Sequence, residues 1–286
     1  MGSHTADELS DRGYKVTVFD AAPSAWLLDC QTMVVASLDD PVELRKVMSD
    51  ADVVYHFAGV ADIADAKKDP YATIDSNVMG VAKVLQMAAE CGIDRFVYAS
   101  TMYVYSAHGS FYRASKQAAE ILVDAFHEQF GFDYTLLRYG SLYGPRSQSW
   151  NGLKRFVTQI VREGTLEYSG DGREMREYIH VHDAAKLSVD ILDERFANRA
   201  ITITGQQLIS VDKLFAMLFE IAGKECAVNY RQGGSRADHY GNTPYRYAPK
   251  SATKLVPQEF VDLGQGLLDL IEEVHIEVSI DDHRKV

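Results

Sequence analysis

Residues 95–101 read Arg-Phe-Val-Tyr-Ala-Ser-Thr, a mostly apolar run that ends in two hydroxyl side chains. A short apolar run of this kind predicts a buried β-strand. Comparable runs occupy residues 14–20, 32–35, 52–59 and 133–139. Segments with helical composition lie between them, at residues 40–49, 71–91 and 112–130. Strands that alternate with helices predict an α/β protein with a parallel, doubly wound sheet.

The ends of these strands indicate where a ligand would bind. Ligands of doubly wound sheets lie beyond the carboxyl ends of the strands. Asp20, Gly59 and Thr101 all stand at such ends. Small residues at Ala58 and Gly59 would let the backbone approach a ligand closely.

The start of the chain predicts part of a dinucleotide-binding unit. A helix over residues 5–13 leads into a strand that ends at Asp20. In a dinucleotide-binding βαβ unit, an acid about 20 residues past a glycine-rich loop bonds the ribose hydroxyls. The first strand and the early glycines of that unit are missing, and only Gly2 can supply the last glycine. We therefore expect this chain to be a fragment of a longer enzyme and to bind its dinucleotide weakly. The missing strand would be central in the sheet, so we expect its neighbours to have unpaired edges.

Tyr112 and Lys116 form a second candidate site. Their spacing of four residues places both side chains on one face of a helix. A nearby ammonium favours the phenolate, so a Tyr with an ordinary pKa of about 10 can exchange a proton nearer neutral pH. The alternative is a Tyr and a Lys on a solvated helix face, and the other motifs decide against it.

Composition excludes several classes of function. The chain has 286 residues and a net charge of −12, which disfavours a general nucleic-acid or membrane-surface role. Its three cysteines are far apart and have no metal-like spacing, as expected of thiols in a reducing compartment. No run of residues predicts a membrane span or a signal peptide. A cytoplasmic protein without a metal is the expectation.

The predicted pattern changes near Gly144. Residues 1–145 are predicted to form the dinucleotide-binding domain, to which residues 176–204 return. Shorter elements at 146–175 and 205–286, including a polar loop at 232–243, predict a smaller, interleaved α/β substrate-binding region.

Seven motifs occur in a meaningful order along nearly the whole chain: Asp20 after a strand, His56-Phe57-Ala58-Gly59, Asn77 in a helix, Ser100-Thr101 with Val104-Tyr105, Tyr112-x-x-x-Lys116, Leu137-Arg138-Tyr139 leading to Tyr143-Gly144-Pro145-Arg146, and Arg176-Glu177-Tyr178-Ile179-His180-Val181. Together they resemble the extended short-chain dehydrogenase/reductase family, specifically its NAD-dependent nucleotide-sugar epimerases and dehydratases, with a Rossmann-type fold. The resemblance to UDP-glucose 4-epimerase-like members implies an epimerase that passes through a transient keto-sugar.

The resemblance also implies roles for residues. Tyr112 would remove a hydroxyl proton, Lys116 would bind the nicotinamide ribose and lower the Tyr112 pKa, and Thr101 would orient the substrate oxygen. Asp20 would favour NAD over NADP, because its charge repels a 2′-phosphate. The implied NAD contacts are Gly2, Asp20, Leu38, Phe57, Ala58, Gly59, Asn77, Tyr112, Lys116 and Tyr139. The implied contacts to a UDP-linked sugar are Thr101, Met102, Ser141, Leu153 and Arg176. A homodimer that pairs the 71–91 and 112–130 helices is also implied.

Departures from the family pattern keep alternatives open. Dehydratases carry Asp-Glu after the Thr, where this chain has Met102-Tyr103, so elimination is disfavoured. Ser141 replaces a usual Asn, and the segment between Tyr105 and Tyr112 is short. A nucleotide-sugar dehydratase or reductase is the first alternative. A non-catalytic binding protein is the second, because the glycine-rich loop is incomplete.

Overall fold

The computed structural model describes residues 1–231 and 252–283 and divides them into two compact units. Within those ranges, the first unit comprises residues 1–139, 185–203 and 252–255, and the second comprises residues 140–184, 204–231 and 256–283. In the described part of the chain, no helix is both long and apolar enough to cross a membrane.

The first unit alternates strands and helices, as the sequence predicts. Its elements are α1 (Gly2–Asp11), β1 (Thr17–Asp20), β2 (Thr32–Val35), α2 (Pro41–Met48), β3 (Val53–His56), α3 (Ile63–Lys68), α4 (Pro70–Ile74), α5 (Gly80–Cys91), β4 (Arg95–Thr101), α6 (Ser110–Phe130) and β5 (Asp133–Tyr139). Later segments of the chain contribute β9 (Arg199–Ile203) and β12 (Ala252–Leu255), and helix α8 (Val181–Asp190) precedes β9.

The main sheet of this unit has five parallel strands in the order β12-β9-β5-β4-β3. The apolar runs that predicted β4 and β5 become its central strands, which are almost entirely buried. Thr101 at the end of β4 is in register with Tyr139 at the end of β5. All five strands therefore present their carboxyl ends at one edge, the binding edge of a doubly wound sheet.

Strands β1 and β2 form a separate parallel pair. Among the described residues, β1 pairs only with β2 and β3 pairs only with β4, so each has one edge without a strand partner.

The core of the first unit comes from the apolar faces of the sheet and its helices. Phe96, Tyr98 and Leu136 are fully buried and pack with Leu85 of α5 and Val123 of α6. A fully buried aliphatic or aromatic side chain contributes about 1.5–3 kcal/mol relative to an exposed one. The cluster therefore fixes α5 and α6 on the sheet, and with them the side chains that α6 carries.

The predicted 71–91 helix is interrupted. It forms α4, a π-helical turn at Asp75–Met79, and α5. A π turn inserts a residue into the helical ladder and is frequent at functional sites. Asn77 lies in this turn and is buried, with 1% of its surface exposed.

The second unit has shorter elements. They are β6 (Ser141–Tyr143), α7 (Gly152–Glu163), β7 (Leu166–Ser169), β8 (Met175–His180), β10 (Leu208–Ser210), α9 (Val211–Ile221), β11 (Val228–Arg231) and α10 (Leu263–His283). Strands β10-β8-β6 form one sheet and β11-β7 another. A core that includes Val157, Phe215, Leu218 and Leu267 holds its helices together.

The observed division differs from the predicted domain boundaries. Residues 176–180 were predicted to return to the dinucleotide-binding domain, but β8 pairs with β6 and β10 in the second unit. Residues 140–145 also belong to the second unit, because β6 pairs with β8. In the opposite direction, β12 joins the main sheet by pairing with β9. The polar loop predicted at 232–243 lies outside the described residues.

Candidate active site

Helix α6 carries Tyr112 and Lys116 on successive turns, as the four-residue spacing predicts. It starts abruptly, because Gly109 has φ +101° and Ser110 has φ +47°. It ends at Gly131, which has φ +81° and forms a left-handed cap. This start places the first turn of α6 directly after the short segment that follows β4.

The Lys116 ammonium is buried against β4. Lys116 is 6% exposed, and its Nζ donates to the Ala99 carbonyl at 2.8 Å. The same nitrogen lies 4.8 Å from the centre of the Tyr98 ring. Burial lowers the pKa of Lys116 to about 8, and the Glu120 carboxylate opposes that shift. Lys116 therefore gives up its proton at a lower pH than an exposed lysine does.

Thr101 ends β4 and forms a local turn. Its Oγ1 accepts a hydrogen bond from the Tyr103 backbone N–H at 3.3 Å and caps the 3₁₀ turn at Met102–Tyr105. The bond uses the hydroxyl as an acceptor, so its O–H can still donate to a substrate oxygen.

Tyr103 packs edge-on against Tyr112, with ring centres 6.0 Å apart and planes at 74°. Gly109 makes room for this ring, since a Cβ there would stand 2.7 Å from Tyr103 Cδ1. Arg113 closes the segment by donating from Nη1 to the Ser106 carbonyl at 2.9 Å. The short segment that the sequence identified therefore folds back on the Tyr112 side of α6.

Asn77 connects the loop after β3 to α6. Its Oδ1 accepts from the Val60 N–H at 2.7 Å, and its Nδ2 donates to the Val60 carbonyl and the Ser115 hydroxyl, each at 2.9 Å. Ser115 in turn donates to the Tyr112 carbonyl at 2.9 Å. Gly59 has φ +136°, and a Cβ there would stand 2.4 Å from Asn77 Oδ1. A glycine at position 59 is therefore required for the amide to reach the loop.

The aromatic residues predicted to line the cofactor pack on one another. Phe57 stacks on Tyr55 at 6.3 Å and approaches Tyr139 at 6.4 Å, measured between ring centres. The Tyr139 hydroxyl is 2.6 Å from that of Ser188. Gly2 is next to Phe57, whose ring a Cβ on Gly2 would touch at 3.6 Å. These contacts bring three predicted cofactor residues, Gly2, Phe57 and Tyr139, into one group.

Three other predicted cofactor residues have different surroundings. Asp20 is exposed at the end of β1 and accepts from the Ala22 N–H at 3.1 Å. Ala58 is exposed between β3 and the Asn77-bound loop. Leu38 is partly buried against the apolar core, 3.7 Å from the position of a Cβ on Gly80.

The residues predicted to contact the substrate belong to both units. Met102, in the first unit, is fully buried and packs with Val104 and Tyr105. In the second unit, Ser141 begins β6 and is half-buried. Leu153 is 3% exposed in the apolar core, where its side chain has little free surface. Arg176 lies in β8, and its Nη1 donates to the Met175 carbonyl at 3.0 Å.

Comparison with known proteins decides the family. Residues 1–203 match the NAD dependent epimerase/dehydratase family. The chain belongs to this family.

Individual relatives in the family agree with that assignment. The chain is 26% identical over 190 residues to a UDP-glucuronate 4-epimerase of Thermodesulfobacterium geofontis, covering 62% of this chain and 59% of the relative. It is 29% identical over 248 residues to a dTDP-glucose 4,6-dehydratase of Streptomyces griseus, covering 81% and 74%. The chain thus spans about three fifths to three quarters of the lengths of these two relatives.

Solved structures show the same fold. A UDP-glucuronic acid 4-epimerase from Bacillus cereus, in complex with UDP-glucuronic acid and NAD, superposes with a TM-score of 0.82 at 23% identity, covering 96% of each chain. A UDP-glucose 4-epimerase from Thermotoga maritima gives 0.80 at 24% identity, covering 97% and 96%. The prediction of a Rossmann-type α/β fold is confirmed.

The residues present fit the NAD on which this family depends. Asp20 uses one lone pair for Ala22, and a carboxylate has about four, so it can also accept from ribose hydroxyls. Gly2 begins α1, whose first turn has no side-chain cap, and backbone N–H groups at such a position suit a pyrophosphate. Gly59 has no side chain and Ala58 has only a methyl group, so a ligand can approach the backbone closely at this edge of the sheet.

One buried network near α6 was not predicted from the sequence. Arg138 is fully buried and forms a bidentate pair with Glu120, through Nε to Oε1 at 2.9 Å and Nη2 to Oε2 at 2.6 Å. Arg138 Nη1 also donates to the Tyr105 hydroxyl at 2.7 Å, and Ser100 donates to Glu120 at 2.5 Å. A charged residue in the middle of the apolar β5 run was the available signal, because a buried cation requires a partner.

Proposed function

We propose that this chain is an NAD-dependent epimerase that acts on a nucleotide sugar through a transient keto-sugar. One observation carries the proposal. The two residues of the family's Tyr-x-x-x-Lys motif, Tyr112 and Lys116, lie on α6. The Lys116 ammonium is hydrogen-bonded to the carbonyl of Ala99, two residues before Thr101. A phenol, a buried ammonium and a hydroxyl at the carboxyl edge of a parallel sheet suit proton removal from a sugar alcohol.

Each of these side chains has a distinct task in the proposed reaction. Thr101 donates its hydroxyl to the oxygen of the reacting sugar carbon, most often C4, and orients it. Tyr112, as the phenolate, takes the proton of that hydroxyl and returns it after the keto-sugar has turned over. Lys116 supports the phenolate with its positive charge. NAD supplies the hydride acceptor, and Asp20 selects NAD because it disfavours a 2′-phosphate.

The residues after Thr101 favour epimerisation over dehydration. Elimination of water from the neighbouring carbons requires a further acid and base. Met102 is fully buried and apolar, and Tyr103 packs against the Tyr112 ring. Neither residue supplies a carboxyl group there, and we therefore place the dehydratase reading second although one relative is a dehydratase.

We propose a UDP-linked sugar as the substrate. Relatives and structural neighbours that act on or bind UDP-sugars support this choice. In the second unit, Arg176 offers a guanidinium suited to the nucleotide's phosphates, and half-buried Ser141 offers a hydroxyl. Leu153, which was also predicted as a contact, is instead a core residue of that unit.

The experiment that tests the function supplies NAD with UDP-glucose, UDP-galactose or UDP-glucuronic acid. The products and the absorbance of reduced nicotinamide are followed together. An epimerase gives the C4 epimer, transient reduced cofactor and no net oxidation. Release of a keto-deoxy sugar supports the dehydratase. Binding of nucleotide sugar without turnover supports the non-catalytic alternative.

We also propose that the chain forms a homodimer in the cytoplasm. Exposed apolar side chains on α4 and α6 support the dimer: Tyr71 is 87% exposed and Ile121 is 62% exposed. Ile74 and Phe111 on the same two helices are also exposed. Three free cysteines, Cys30, Cys91 and Cys226, suit a reducing compartment. Sedimentation of an Ile121→Glu variant tests the dimer, which predicts a monomer for that variant.

A further inference from the structure

The structure connects α6 to the end of β4 at two consecutive residues. Lys116 binds the Ala99 carbonyl, and Glu120, one turn later, accepts from the Ser100 hydroxyl. Thr101 is the next residue of the strand. The position of Tyr112 relative to Thr101 is therefore set by bonds that Lys116 and Glu120 make one and two turns away.

Glu120 is held by a partner from the neighbouring strand. Arg138 is in register with Ser100 across the β4–β5 pair, so both donors approach the same carboxylate. Glu120 is 4% exposed and Arg138 is fully buried. Burial acts to lower the Arg138 pKa, but the hydrogen bonds and charge of Glu120 and Tyr105 raise it above its ordinary value. Arg138 is therefore a cation in the folded protein.

We propose that Glu120, paired with Arg138, is a positioning residue for the proton-transfer site. It fixes the register of α6 on β4 and keeps the Lys116 side chain in its ammonium form. The consequence for catalysis rests on the proposed function. The effects of Glu120 on the position of α6 and on the protonation of Lys116 do not. Glu120 touches neither substrate nor cofactor in this account and acts through Lys116.

The electrostatic part follows from the groups around the ammonium. A buried cation loses its proton more readily unless a negative charge is near. The charged and titratable groups near Lys116 come from four elements. Glu120 lies one turn after it on α6, with Tyr112 one turn before it; His56 is on β3, Tyr98 on β4, and Arg138 on β5, bound to Glu120. Glu120 is the one carboxylate in this set, and His56 is neutral because burial lowers its pKa to about 3. Loss of the Glu120 charge would therefore leave the ammonium without its attractive partner.

The test measures the protonation of Lys116 directly. Carbon-13 NMR of the lysine side chains follows the titration from pH 6 to 10, and the Lys116→Met variant assigns the resonance. We expect the titration midpoint of Lys116 to fall by roughly one unit in Glu120→Gln, since a nearby opposite charge shifts a pKa by about 1–3 units. The double variant Glu120→Gln/Arg138→Met buries no unpaired charge. In it we expect the Lys116 midpoint to fall below that of the wild type, but by less than in Glu120→Gln.

Two controls keep the result interpretable. Thermal unfolding confirms that each variant is folded, and the double variant decides the question if Glu120→Gln does not fold. A double variant that titrates like the wild type overturns the proposal. Where turnover is measurable, the alkaline limb of the kcat profile should move to lower pH by the same amount. A shifted lysine titration in a chain without turnover supports this proposal while rejecting the proposed function.

Discussion

Replacing Asn77 by Ala should both destabilise the protein and release the loop after β3. The side chain makes three hydrogen bonds, to the Val60 N–H, the Val60 carbonyl and Ser115 Oγ. Each such bond contributes about 1 kcal/mol net, so their loss should lower the free energy of unfolding by about 3 kcal/mol. Equilibrium urea denaturation measures this quantity.

Ser115→Ala is the matched control. It removes one of the three Asn77 bonds and the bond from Ser115 to the Tyr112 carbonyl, so its cost should be about 2 kcal/mol. Hydrogen exchange at the Val60 amide separates the two variants, because only Asn77→Ala removes its acceptor. We expect faster exchange there in Asn77→Ala and wild-type exchange in Ser115→Ala. An Asn77→Ala variant within about 0.5 kcal/mol of the wild type would refute the reasoning.

Three further predictions concern the same region. Turnover should fall as the pH rises through about 8, because Lys116 loses its ammonium charge there, and a kcat profile with no alkaline limb would contradict this. Burial lowers the His56 pKa to about 3, so the unfolded state binds a proton there that the folded state does not. His56 should therefore contribute about 2 kcal/mol to the loss of stability between pH 7 and pH 5, and urea titrations of the His56→Asn variant should show a pH dependence that is smaller by that amount. Gly109→Ala should lower the free energy of unfolding by about 1–2 kcal/mol or more, because φ is +101° and the new Cβ would meet the Tyr103 ring. An unchanged urea midpoint would argue against that packing.

The sequence predicted the central strands of the main sheet best, while its edge strand β12 was not predicted. The apolar runs at 95–101 and 133–139 coincide with β4 and β5, because strands buried on both faces carry an uninterrupted apolar signal. The three-residue strands β6 and β10 were missed, since so short a segment has no periodicity to read. The helix predicted at 71–91 was right in extent, but nothing in its sequence pattern indicated the π turn, from which Asn77 bonds to Val60 and Ser115.

The candidate site shows a similar limit. A four-residue spacing is enough to put Tyr112 and Lys116 on one face of α6. No spacing rule reveals that Asn77 reaches Val60 or that Glu120 meets Arg138, since these partners are brought together by the tertiary fold. The proposed NAD and substrate contacts remain predictions from the family pattern.

The most direct test of the central claim follows a C4-deuterated UDP-sugar. If hydride leaves C4 and returns to the same carbon, the C4 epimer should retain the deuterium, NAD should not be consumed, and the Tyr112→Phe variant should be inactive although folded. Loss of the label to solvent, a keto-deoxy product, or equal conversion by Tyr112→Phe would contradict the account.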